Sequence, residues 1–303
     1  MKAEMFPVML TPFTDAGEVD YAALEELIAF YEQGGADGLF AVCQSSEVFY
    51  LSLEERVKLA SFVKAHAHVP VVASGHISES PSQQLKELSA VAETGVDAVI
   101  LITNRLCAQG QSPDVFRRNL DYLLDRLDPA VKLGFYECPV PYKRLISLEE
   151  LRYAASTGRF AFMKDTCCDI ETIRRRLSVL GGSDMRLYNA NTATLLPSLE
   201  AGAAGYSGVM ASFHPELYAY LLKNFAIEKD KCASLQAFLT ICALIERQYY
   251  PVNAKYYLSR IKGLHMSVNS RSQNPLGLTD TFRDEVRQLE TLVNDYKSLC
   301  LIP

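Results

Sequence analysis

One phrase returns along this chain: GGADGLF, TGVDAVI and AGAAGYSGV. Each has a glycine where an amphipathic stretch stops, then small or acidic residues, then a short apolar run. Glycine adopts positive φ at a helix C′ position without penalty, so the phrase is the turn from a helix into a strand. Around these turns the chain alternates short β-branched runs with longer amphipathic ones. The runs fall at 6–10, 38–42, 69–75, 98–102, 132–136, 160–164, 185–188 and 205–209. Strands alternating with helices predict a parallel sheet with helical crossovers. Eight such units predict an α/β fold closed as a (β/α)8 TIM barrel. An open doubly wound sheet would need a GxGxxG turn after its first strand, and none is there. A barrel uses about 250 residues, and the chain has 303. Beyond about Ala226 the alternation stops and only helical patterns remain, at 230–249, 252–264 and 281–299. The expected organisation is a barrel over 1–226 and a helical C-terminal region over 227–303, with a polar loop at 267–277.

Local signals place several helix starts. Asp20 precedes YAALEELIAFYEQ. Ser52 with Glu55, and Ser147 with Glu150, have the spacing of a capping box. Pro81 opens a helix near its first position.

Net charge is −6 with no basic block, so nucleic acid is not an expected partner. No apolar run reaches membrane-spanning length, and the N-terminus is too short and too proline-interrupted for a secretory signal. The expected location is the cytoplasm. There the eight cysteines would be reduced thiols, mostly small packing residues.

In such barrels chemistry sits at the C-terminal ends of the strands. Lys164 ends the apolar run FAFMK, which predicts a desolvated amine with a lowered pKa. A neutral amine can attack a ketone to form an imine. The alternative is a lysine ion-paired with Asp165 or Glu137. Tyr136 ends the neighbouring run, and its phenol, donor and acceptor at once, could pass protons at the imine. Ser45 and Ser46 form a small-residue turn after the second run, where hydroxyls and N–H groups could hold a carboxylate. Cys43, Cys107, Cys138 and Cys167 also fall at or just after run ends, with Cys168 beside Cys167. A thiol cluster there could bind metal, but packing is the simpler expectation.

Lys164 followed by an acid, Tyr136 in Tyr-x-x-Pro and a serine turn ending in Glu47 together resemble the dihydrodipicolinate synthase/N-acetylneuraminate lyase family. The likeness extends over essentially the whole chain, including Thr11-Pro12-Phe13. It implies class I aldolase chemistry through a covalent lysine imine, no metal, no separate cofactor, and a homo-oligomer, dimer or tetramer. It carries the imine role onto Lys164, the proton relay onto Tyr136, and carboxylate binding onto Ser45 and Ser46.

The chain also departs from that pattern. The turn reads Cys43-Gln44-Ser45-Ser46-Glu47, so the usual glycines are gone and an amide replaces the first hydroxyl. Glu137 stands where the family has Asn, and Pro141 where dihydrodipicolinate synthases have Arg. The fourth loop, Thr103 to Cys107, has no tyrosine. The pyruvate half looks kept and the second-substrate half rewritten. The expected function is therefore a Schiff-base lyase acting on pyruvate or a 2-oxo sugar acid, by aldol chemistry or dehydration. Gln44, Glu137, Asn189, Asn191 and Ser207 are expected to meet the substrate, with His76 and Arg105 as further polar candidates. An authentic dihydrodipicolinate synthase and a non-catalytic 2-oxo-acid-binding regulator are the alternatives. A metal-dependent barrel enzyme built on His76 ranks last.

Overall fold

A computed structural model describes residues 2–302. Its eight strands are β1 (Glu4–Met5), β2 (Leu39–Phe40), β3 (Val71–Ser74), β4 (Ala98–Ile102), β5 (Leu133–Tyr136), β6 (Phe160–Asp165), β7 (Arg186–Asn189) and β8 (Gly205–Tyr206). All neighbours pair in parallel, in the order β1-β8-β7-β6-β5-β4-β3-β2. A parallel bridge from Val8 to Phe40, with Met9 N–H donating to the Phe40 carbonyl at 3.0 Å, joins the two ends. The sheet is thus a closed (β/α)8 barrel. The first run, expected at 6–10, starts two residues earlier as regular strand and continues past Met5 as the segment that makes this closure.

Helices α1 (Tyr21–Gln33), α2 (Leu53–His66), α3 (Pro81–Ala92), the one-turn α4 (Thr103–Leu106), α5 (Pro113–Leu124), α6 (Leu148–Ser156), α7 (Ile170–Leu180), α8 (Leu195–Glu200) and α9 (Pro215–Asn224) surround the strands. Asp20 accepts from the Ala23 N–H, and both capping boxes form, at Ser52/Glu55 and Ser147/Glu150. These contacts satisfy N–H groups that the first turn leaves without partners.

Strand alternation divides the apolar residues between two cores. Phe6, Phe40, Val72, Ile100, Ile102, Tyr136, Phe162 and Tyr188 fill the barrel interior. Their neighbours along the strands, such as Phe135, Met163 and Leu187, face the helices. Inside, Phe162 and Tyr188 stack at 4.5 Å and Phe6 meets both edge-on. The Tyr188 hydroxyl donates to Glu4 at 2.6 Å, and Arg186 pairs with the same carboxylate. This plug fills the N-terminal end of the barrel, so ligand access is from the C-terminal end.

Gly205 sits at φ 155° where β8 passes β1, and a Cβ there would lie 1.8 Å from the Glu4 carbonyl oxygen. Only a backbone shift could admit it. Gly205→Ala is expected to cost about 3 kcal/mol or more, read as a fall in Tm.

The tail consists of α10 (Lys229–Cys242), a 3-10 turn (Ala243–Arg247), α11 (Val252–Tyr256) continued by a π turn, and α12 (Asp280–Cys300). The expected boundary at 226/227 falls in the connector before α10. The tail is nonetheless pinned to the barrel. Lys255 donates to Glu47 at 2.7 Å, and the same carboxylate accepts from Ser270 Oγ and from the N–H groups of Arg271 and Ser272. Arg271 also pairs with Glu55. These contacts lay the 267–277 loop against the turn after β2, and Glu47 itself adopts φ 60°. In this glycine-free turn Glu47 takes the positive φ, and its carboxylate is held from several sides.

Candidate active site

Lys164 and Tyr136 are in direct register across β5 and β6. Both face inward because residues two apart in a strand share a face. The Lys164 Nζ lies 4.8 Å from the centre of the Tyr136 ring and 5.8 Å from that of Phe40. Lys164 is 4% exposed. Burial lowers its amine from the ordinary 10.5 to about 8, against a smaller upward pull from Cys43, Cys138 and Glu246. At pH 7 roughly one amine in ten is then neutral and nucleophilic.

The same alternation turns Glu137 and Asp165 outward, toward α7. There both carboxylates pair with Arg176. Glu137 also accepts from the N–H groups of Ile146 and Thr166. The two acids that could have neutralised Lys164 are therefore committed on the far side of the sheet. Among the described residues Lys164 has no ion pair.

The amine opens into a cavity of about 270 Å³ at the C-terminal mouth. Gln44, Ser45, Tyr136, Lys164, Asn191, Glu246 and Tyr250 provide its main polar wall. The Tyr136 hydroxyl points at the Gln44 amide oxygen, 3.5 Å away. Burial keeps this phenol well above its usual pKa, so it acts as a neutral donor and acceptor. Tyr250 faces Ser45, but its buried hydroxyl has no hydrogen-bond partner. Gln44 and Tyr250 also line a second hollow of about 190 Å³, with Tyr50, Ser272 and Gln273 on its far side.

Several expected substrate contacts lie elsewhere. The Ser46 hydroxyl donates to the Met9 and Ala41 carbonyls and accepts from the Cys43 N–H, so it braces the turn. Glu137 belongs to the Arg176 cluster. Asn189, outward-facing next to inward Tyr188, donates to Thr194 and Ser198 and accepts from the Asn191 N–H. It shapes the loop on which Asn191 reaches the cavity. Ser207 is buried with its hydroxyl unpartnered and does not line the cavity. His76 accepts from the Ile102 N–H at 2.6 Å, and burial lowers its pKa to about 3. Arg105 lies over Phe49 near Glu79. Strand parity, applied outward from Lys164 and Tyr136, would have set Glu137 and Asn189 aside.

Sequence reading missed Glu246 and Tyr250. Both come from the break between α10 and α11, where the 3-10 turn carries side chains over the barrel mouth. The signal available was the interruption Tyr249-Tyr250-Pro251 in a helical pattern. Among the described residues no group of three His, Cys, Asp or Glu side chains could hold a metal ion, and all eight cysteines are free. Cys43 and Cys138 pack inside the barrel, and Cys168 reaches the cavity.

The chain resembles known proteins over most of its length. The model of the dihydrodipicolinate synthetase family matches residues 1–113. A 4-hydroxy-tetrahydrodipicolinate synthase from Bacillus subtilis is 26% identical over 266 residues, covering 84% of this chain and 88% of that protein. An N-acetylneuraminate lyase from Citrobacter koseri is 25% identical over 244 residues, covering 78% of each. In three dimensions, a dihydrodipicolinate synthase from Bacillus anthracis superposes with a TM-score of 0.84 at 20% identity, over 95% of this chain and 97% of that one. An Escherichia coli prophage protein of the same family, solved in complex with pyruvate, gives 0.83 at 20% identity over 97% and 98%. At that identity the two structures speak for the barrel alone. With a family model that matches the first 113 residues and relatives that span most of the chain at about a quarter identity, the conclusion is that the protein is similar to the dihydrodipicolinate synthetase family and shares its barrel fold.

Proposed function

We propose that this protein is a Schiff-base lyase of the class I aldolase type, acting on pyruvate or a 2-oxo acid through an imine at Lys164. The observation that carries the reading is the unpaired Lys164 amine. It is buried, lowered to about 8, and faces a phenol in an open cavity while its adjacent acids are held by Arg176. A structural lysine in that position would have kept Asp165 or Glu137 as its partner.

In this reading the amine attacks the 2-oxo carbon. Tyr136 delivers and removes the protons that turn a carbinolamine into an imine, with Gln44 holding the phenol by its hydroxyl. The imine is itself the electron sink, so the reaction calls for no separate cofactor. Ser45, with the Tyr250 hydroxyl opposite, receives the substrate carboxylate. Asn191 and the second hollow meet the remainder of the chain. The changes at Gln44 and Pro141 support a hydroxylated partner rather than the one an authentic dihydrodipicolinate synthase uses. A cytoplasmic location and a homo-oligomeric state complete the reading.

Borohydride added with pyruvate should reduce the imine and leave a stable mass increase on the peptide that contains Lys164. Absence of that adduct would overturn the proposal. Tyr136→Phe should still yield the adduct, but with a rate of formation lower by roughly 10²-fold or more, measured by quenching with borohydride at increasing times.

A further inference from the structure

The 3-10 turn after α10 places Glu246 in the wall of the cavity that holds Lys164. A carboxyl group is an unusual lining for a pocket meant to take a 2-oxo acid, because it repels the substrate's own carboxylate. It also has no structural occupation. Among the described residues no hydrogen bond or ion pair holds it. It lies close enough to Lys164 to pull on its charge, yet makes no contact ion pair with it. The charged or titratable groups around it are Lys164 on β6, Cys168 after β6, Tyr206 on β8, Tyr218 on α9, Tyr250 beyond the turn, and its neighbour Arg247.

Once an imine exists, the next step removes a proton from the carbon beside the imine carbon, and a base must receive it. The cavity-lining candidates can be compared. Burial raises Tyr136 and Tyr250 well above their usual values, so both stay protonated. Cys168 is raised as well. Lys143 is committed to the Thr166 carbonyl at 2.8 Å. Lys164 is consumed as the imine. Glu246 is left.

Resting on the imine reading above, we propose that Glu246 is the catalytic base that exchanges a proton with the carbon adjacent to the imine carbon. In the step, the C–H bond breaks and its proton passes to a Glu246 oxygen. The electron pair forms a carbon–carbon double bond, and the C=N π electrons return to the nitrogen of the protonated imine, which keeps its proton, giving the neutral enamine. The reverse step regenerates the protonated imine, as does attack by the enamine on a partner carbonyl, whose oxygen then takes the proton held by Glu246. Burial raises the Glu246 carboxyl to about 7, against the opposing pull of Lys164 and Arg247, which suits a group that must both accept and return a proton near neutrality.

Pyruvate alone tests this, without knowledge of a second substrate. In D2O, wild-type enzyme should exchange the pyruvate methyl protons, seen as loss of the methyl signal by NMR, and borohydride should trap the adduct at Lys164. Glu246→Gln should trap pyruvate to the same extent while exchanging its protons at least roughly 10²-fold more slowly. Glu246→Ala should be equally slow and recover exchange with added formate, a small base that fits the vacated volume. Exchange by Glu246→Gln within threefold of wild type would overturn the assignment. So would loss of trapping together with exchange in both folded variants, since Glu246 would then serve the amine and not the carbon. Wild type that traps pyruvate without exchanging it would refute this step and leave the imine reading standing. Wild type that traps nothing would refute the imine reading itself.

Discussion

Lys164→Met is expected to abolish pyruvate capture and lyase turnover while making the protein more stable at pH 7. The drop of the amine from 10.5 to about 8 means that holding it in this site costs the native state roughly 3 kcal/mol at neutral pH. The sign follows from proton binding. Between pH 8 and 10.5 the unfolded chain holds the proton that the folded chain has released, so stability of the wild type rises with pH across that window. Below pH 8 the penalty is fully present, and above 10.5 it is gone. The advantage of the methionine variant should therefore be constant below pH 8 and vanish by about pH 10.5. Urea unfolding of both proteins at pH 7 and pH 10 checks this. A methionine variant less stable than wild type at pH 7 would mean that Lys164 has a stabilising partner, and would count against a poised nucleophile. Stability sacrificed at one residue for chemistry is a common arrangement in active sites.

Arg176→Met should do the opposite, with a comparable magnitude. Arg176 is 1% exposed and is the shared partner of Glu137 and Asp165, which are themselves buried. Removing it leaves two buried carboxylates without a cation, a loss of about 3–5 kcal/mol. Burial already pushes the Glu137 carboxyl up and Arg176 opposes that push. In the variant Glu137, freed of that opposing pull, titrates at higher pH than in the unfolded chain. The deficit should then be largest at neutral pH and shrink as the pH falls and the Glu137 carboxyl takes up a proton. Chemical unfolding at pH 5 and pH 7.5 measures it. The variant should also capture pyruvate poorly, because Glu137 and Asp165 hold the ends of β5 and β6 on which Tyr136 and Lys164 stand. An equal deficit at both pH values would show that lost packing, and not uncompensated charge, accounts for the effect.

These two residues mark the division between what was legible in the sequence and what was not. The barrel could be read because its signals are local. Glycine at helix ends, capping boxes and short apolar runs depend on neighbours a few positions away. Lys164 could be singled out for the same reason: it ends an apolar strand. Its meaning was undecided, because an adjacent acid in sequence and an adjacent acid in space look identical in one dimension. Strand alternation carries Asp165 and Glu137 to the opposite face, and Arg176, distant from Glu137 in sequence, takes both of them. Ser46 and Ser45 are likewise indistinguishable in the sequence. The turn's hydrogen bonds occupy the first hydroxyl and leave the second facing the cavity.

The sequence by itself determined the alternating architecture, the helix starts, and the pair of strand-end residues, Lys164 and Tyr136, that face the cavity. The tertiary structure alone decided which polar groups surround that pair. Glu246 and Tyr250 come from a helical tail whose sequence has no strand-end signal, and they reach the cavity because the tail is clamped over the barrel mouth by Glu47, Lys255 and Arg271. Those contacts join residues some two hundred positions apart. Local propensity has no information at that range, and packing and charge pairing supply it only once the chain has folded.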